Sequence, residues 1–174
     1  MHADDTLPLS RLVPVDKLPA RGEFVRIEAT EDERRALAAA FKLPAIHTLV
    51  GEYRVTGDIR GATVVGTVKG RVTQTCVVTL EPFEADVEEA VDVDFAPATE
   101  PVDEEEAELR RLDPPDEIVN NRIDLGALTA EFLALGLDPY PKKPGAEFTP
   151  VVEDGEDGSP FDKLKALKGP KGGG

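Results

Sequence analysis

Tryptophan is absent from this chain, cysteine occurs once, histidine twice, and aromatic residues make up only 5%. The single cysteine, Cys76, has no partner for an internal disulfide, which fits a reducing compartment. A zinc centre needs about four nitrogen or sulfur ligands, and Cys76 with the widely separated His2 and His47 does not supply them. No apolar run approaches the ~20 residues of a membrane-spanning helix. The opening "MHADDTLPLS" has no cationic segment followed by an apolar one, so no signal peptide is expected. Cations are also short in supply, 20 Lys and Arg against 35 Asp and Glu, for a net charge of −15. Such a charge repels phosphate backbones, which argues against duplex binding by a broad basic face. These absences describe a soluble, cytoplasmic, acidic protein whose expected partner is cationic.

What is present is mostly two-residue alternation. Residues 22–29, "GEFVRIEA", set Phe24, Arg26 and Glu28 against Val25, Ile27 and Ala29, as a short strand does. Thr30 followed by Glu33 has capping-box spacing, and Leu37, Ala40 and Phe41 give a helical stripe that Pro44 ends. A helix over about 31–42 follows. Leu49, Tyr53, Val55 and Ile59 oppose Glu52, Arg54, Thr56 and Asp58 in the next stretch. Then Val64, Val68, Val72, Cys76 and Val78 oppose Thr63, Thr67, Lys69, Arg71, Thr73 and Thr75. Both patterns suit a sheet with one wet face, and Gly66 and Gly70 are expected to bend, bulge or divide the second. In-phase with valines, Cys76 reads as a small buried hydrophobe.

The third stretch places Phe83, Ala85, Val87, Val91, Val93 and Phe95 on one face and Glu84, Asp86, Glu88, Asp92 and Asp94 on the other. If it forms a hairpin with the preceding stretch, like faces meet only when paired residue numbers sum to an odd value. A turn near Thr79–Glu81 would set Arg71 opposite Glu88 and Thr73 opposite Asp86. An acidic loop over about 96–118 continues the charge with Asp103, Glu104, Glu105 and Glu106, and a short helix near 102–112 is one way it could fold. Between Glu84 and Glu117 fifteen carboxylates face two arginines, so most of the net charge lies in this one region. Acidic runs are commonly just solvated surface, but one this concentrated can also steer a cationic partner.

In "NNRIDLGALTAEFLALGLDPYP", Asp124 suits an N-cap, with Ile123 and Leu128 as a hydrophobic staple. Leu125, Leu128, Phe132 and Leu135 form a stripe, and Gly136 suits a left-handed position after the last turn. A helix over about 124–136 should dock on the valine face. Residues 1–144 then form one α+β domain, and 145–174, rich in Gly and Pro, form a flexible, disordered tail. Within that tail "SPFDKLKALK" is too short for a stable helix by itself. No phosphate loop or nucleophile–base set is evident, so no catalytic, cofactor or metal residues are assigned.

Taken together, "CVVTLEPF" (76–83) and "IDLGALTAEFLALGLDPYPKKP" (123–144) resemble the YceD family, the large ribosomal RNA subunit accumulation proteins. Cys76, Leu80, Glu81, Pro82, Asp124 and Leu125 match the family pattern over roughly residues 50–144. The residues themselves suggest structural duties, Leu80 and Pro82 shaping a turn and Asp124 capping a helix. Many members have a second cysteine three places after the first, where this chain has Thr79, and some have further cysteines after the helix, where it has "KKPGAEF". Any metal or redox role those further cysteines give such relatives is thereby put in doubt for this chain.

The resemblance implies a bacterial or organellar protein needed for 23S ribosomal RNA accumulation and hence for large-subunit assembly. Members often lie beside the gene of a small basic ribosomal protein. The expected fold is α+β, a curved antiparallel sheet or partly closed β-barrel packed with two short helices. The expected function is non-enzymatic: the acidic face binds a basic ribosomal protein or a large-subunit precursor, with ribosomal RNA reached indirectly. Two alternatives are an enzyme that processes or modifies precursor RNA, and a direct RNA binder using Arg54, Arg60, Lys69, Arg71, Lys142 and Lys143.

Overall fold

A sheet whose two faces differ in wetness must alternate apolar and polar side chains, and the longest strands of this protein do so. The computed structural model describes residues 7–98 and 115–147. In chain order they form β1 (Leu12–Pro14), a 3-10 turn (Val15–Lys17), β2 (Glu23–Glu28), α1 (Glu31–Ala40), β3 (Ala45–Asp58), β4 (Gly61–Thr75) and β5 (Pro82–Pro97). After the acidic segment come β6 (Asp116–Ile118), β7 (Arg122–Asp124) and α2 (Leu125–Leu135). Five strands form one sheet in the order β2-β3-β4-β5-β6, while β1 pairs with β7 outside it. All its pairings are antiparallel except β5 with β6, which run parallel. No described pairing joins β2 to β6, so the sheet is open and not a barrel. Closure is not needed to dry the inner face, because α2 covers it.

Pairing of β4 with β5 obeys the odd-sum rule: Val72 faces Ala85 and Val64 faces Val93. The register is displaced by one pair of like faces from the expected one. Arg71 meets Asp86, not Glu88, and Thr73 meets Glu84, not Asp86. The turn decides this. Cys76 and Glu81 close it, with the Cys76 N–H donating to the Glu81 carbonyl and the Leu80 N–H to the Cys76 carbonyl, both at 2.9 Å. Leu80 takes a left-handed φ of +59° to complete the reversal.

β3 begins earlier than alternation suggests, because a bulge at His47 shifts the register between Ile46 and Thr48. The extra residue lets even-numbered Ile46 and odd-numbered Leu49 share the buried face. At the far end Ile59, expected in the buried set, sits in the hairpin turn and is exposed. β4 runs unbroken through Gly66 and Gly70 with no shift of register there, so it is neither divided nor bulged at these glycines. Their smallness serves packing. A Cβ on Gly66 would stand 2.1 Å from the Glu52 carbonyl and 2.8 Å from the Tyr53 ring, and one on Gly70 would stand 2.9 Å from Leu133 Cδ1.

α2 starts where Asp124 Oδ1 accepts the N–H groups of Gly126 and Ala127 at 2.9 and 3.1 Å. Its buried face is Leu125, Leu128, Thr129, Ala130 and Leu133, while Phe132 is half-buried and Leu135, assigned to the stripe, is exposed. The reason is a cross-link: Thr129 donates to the Leu125 carbonyl at 2.6 Å and accepts from the buried Tyr53 hydroxyl at 2.7 Å. Burial pushes the Tyr53 hydroxyl up to about 12. Gly136 has φ −80°, right-handed, so the expected left-handed cap is absent. Its lack of a side chain instead admits Val87 and Glu89, whose nearest atoms lie 2.5 and 2.7 Å from where a Cβ would be.

α1 carries the expected capping box, but Ala38 accompanies Leu37 into the core and Ala40 is exposed. Glu33 also receives both guanidinium N–H groups of Arg11, at 2.7 and 2.9 Å. The Arg11 bonds, then those of Thr30, hold its carboxyl down at about 2, well below the usual 4.5. A depressed folded-state value means stability that is present above pH 4.5 and lost as pH falls through 2. We expect Glu33→Gln to cost about 1–2 kcal/mol near neutrality and to flatten the acid limb of stability between those pH values, measured by urea unfolding.

Candidate functional site

The outer face of the sheet is a grid of side chains read directly from the registers. One rung runs Phe24–Arg54–Val65–Asp92 across four strands, and the next Arg26–Glu52–Thr67–Ala90. Along β5 the acids Glu84, Asp86, Glu88, Asp92 and Asp94 all stand exposed on this face, one at every second place except at Ala90. They are not equivalent. Asp86 is held by Arg71 at 2.8 Å and Glu88 by Lys69 at 3.0 Å, while Glu84 lies 3.9 Å from His47. Asp94 accepts only the Thr63 hydroxyl at 2.7 Å, and Asp92 has no polar partner among the described residues. Pairing draws the Asp86 carboxyl below its usual range, chiefly through the Arg71 bond. The uncompensated charge therefore sits at the β6 end of β5. There a hollow is lined by Asp92, Asp94, Phe95, Pro115 and Asp116.

Behind that hollow the charge deepens. Desolvation raises the Asp116 carboxyl, and Glu131 on α2 is raised by desolvation and then by the charges of Asp116 and Asp124. No cation relieves them within ion-pair distance among the described residues. Among those residues, too, no group of three His, Cys, Asp or Glu side chains is placed to hold a metal. Asp103, Glu104, Glu105 and Glu106 lie outside the described residues.

The cations considered for RNA contact are mostly engaged. Arg60 pairs with Asp58 at 2.8 Å, Lys69 with Glu88, Arg71 with Asp86, and Lys143 with Glu81 at 3.0 Å. Arg54 lies 4.1 Å above the exposed Phe24 ring. They alternate with acids and form no continuous positive patch.

The two motif stretches meet in space. The Val77 N–H donates to the Pro141 carbonyl at 2.9 Å, Gln74 Nε2 to the Asp138 carbonyl at 3.0 Å, and Lys143 reaches Glu81. Cys76 lies fully buried inside this junction, its Sγ accepting the Thr79 N–H at 3.5 Å. Hydrogen bonding from Thr79, then from the Lys143 backbone, draws the thiol down to about 7. Asp124 and Leu125 serve the helix start, as expected, and Asp124 also accepts the Arg11 N–H at 2.7 Å. Leu80 is exposed at the turn and Pro82 opens β5.

Sequence reasoning missed the segment before β2. Leu9 and Val15 are fully buried there, and Arg11 joins α1 to the start of α2. The signal was present as Leu7, Leu9, Val13 and Val15 in phase, obscured by Pro8 and Pro14.

A family model described as Large ribosomal RNA subunit accumulation protein YceD matches residues 64–168, more than half of the chain. No curated protein and no solved structure matches it. Among the described residues no helix is long and apolar enough to cross a membrane.

Proposed function

The chain belongs to the YceD family of large ribosomal RNA subunit accumulation proteins, and on that premise we propose that it is a non-enzymatic assembly factor. It holds a basic ribosomal protein, free or on a large-subunit precursor, against the acidic end of its sheet, in the cytoplasm. Ribosomal RNA is then reached through that protein. The observation that carries this reading is the unneutralised strip Asp92–Asp94–Asp116, left over after lysine and arginine have matched the acids further along β5. A cationic partner relieves charge there that the protein itself leaves unrelieved, and the attraction speeds encounter at low salt.

Direct RNA binding finds less support, since phosphates would have to displace internal ion pairs of Lys69, Arg71 and Lys143 in a field of net charge −15. The test is a pull-down with the full chain from ribosome-depleted and precursor-enriched extracts. Capture of basic large-subunit proteins at low salt, declining as salt rises and surviving ribonuclease, is the expected outcome. Recovery that ribonuclease abolishes would transfer the argument to RNA, and recovery of no ribosomal component at any salt would end it.

A further inference from the structure

β5 is 16 residues long, yet β6 covers its outer edge only at Phe95, Ala96 and Pro97. From Phe83 to Val93 the other edge is engaged by β4, while no described backbone or side chain pairs with the outward one. An edge strand turns every second N–H and C=O outward, so about 35 Å of backbone donors and acceptors stands open. Proteins commonly protect such edges with bulges, prolines, charged side chains (lysine above all) or an inward-pointing charge. Within Phe83–Val93 this edge has no bulge, proline or lysine and is guarded by acids alone, Glu84, Asp86, Glu88 and Asp92 on one face and Glu89 on the other.

That choice is selective. A second copy added along β5 would bring acids beside acids, which cross-strand repulsion opposes. A strand with lysine or arginine at alternate places would bring a cation beside Glu84 and Asp92, which no lysine or arginine of this chain holds among the described residues. It would bring a second cation beside Asp86 and Glu88, already held from β4 by Arg71 and Lys69, while its backbone completes the ladder. The other free edge, on β2, is only 6 residues long and mixes Glu23, Arg26 and Glu28, so it offers neither the length nor the charge.

We infer that β5 binds its partner by strand addition: an extended cationic segment, with basic side chains at alternate positions, pairs with the open edge at Phe83–Val93. The inference rests on the proposed capture of a basic protein and specifies how it is held. Main-chain hydrogen bonds supply affinity that is indifferent to sequence, and the alternating acids choose the charge pattern.

The test uses the full chain and a fluorescent ten-residue peptide alternating lysine and threonine, beside the same peptide N-methylated at every backbone amide. Both carry the same charge, and only the first can donate to a ladder. We expect at least tenfold weaker binding of the methylated peptide, and slowed amide exchange over residues 83–93 with the unmodified one. A smaller difference, or protection elsewhere, overturns strand addition while leaving charge-driven capture intact. If neither peptide binds but a basic ribosomal protein is still captured, the edge is again excluded. If nothing cationic binds, this inference and the functional reading fall together.

Discussion

With Asp92 and Asp94 both changed to lysine, capture of a basic ribosomal protein at low salt is expected to weaken by roughly 30- to 100-fold. The change alters four charges at the part of β5 where no internal cation compensates. Rim charges of this kind contribute up to about 1 kcal/mol each, and 2–3 kcal/mol in total corresponds to that factor. The loss should shrink as salt shortens the screening length below about 10 Å. Both side chains are exposed, so unfolding stability should change little. A charge-matched control, Asp16→Lys with Glu23→Lys, also alters exposed acids but lies off β5 and should stay within about threefold. Biolayer interferometry of wild type and both double variants against one basic large-subunit protein decides the matter. Equal losses in the two variants would mean that net charge, not this strip, governs binding.

The largest structural effect is expected from a single added carbon. Gly66→Ala should lower stability by about 3 kcal/mol or more, because its Cβ meets β3 backbone, which cannot swing aside as a side-chain tip can. The carbonyl of Glu52 would lie 2.1 Å away and the Tyr53 ring 2.8 Å away. Relief requires β3 to move off β4, and that movement also disturbs the Tyr53–Thr129 bond that anchors α2. Gly61→Ala is the comparison, since its nearest neighbour would be 3.7 Å away and its cost should stay near 0.5 kcal/mol. Urea unfolding of both measures the contrast. Comparable stability for the two variants would show that Tyr53 does not rest on β4 as described.

Much of the candidate site was legible before any fold was known. Strict alternation placed Glu84, Asp86, Glu88, Asp92 and Asp94 together on one wet face, because a strand has no other way to bury Val87 and Val91. Alternation could not say which of them keeps a free charge. That depends on whether Arg71 stands opposite Asp86 or opposite Glu88, and both registers satisfy the same pattern of faces. Position in the helix behaved likewise. Leu135 and Leu133 are equally apolar, and only the surface met by α2 separates the buried one from the exposed one.

Sequence alone determined the alternation of β2 and of most of β3, β4 and β5, where α1 and α2 begin, which face carries the acids, and that the excess charge is negative. These are properties of neighbours along the chain: period, capping chemistry and composition. β1, β6, β7 and the first residues of β3 escaped that reading. Tertiary structure decided the register at the Cys76–Glu81 turn, the matching of lysine and arginine to particular acids, the reason for Gly66, Gly70 and Gly136, and the open edge of β5. Those depend on which backbone lies beside which, a quantity set by the turn and by the seat of α2, and no local pattern contains it.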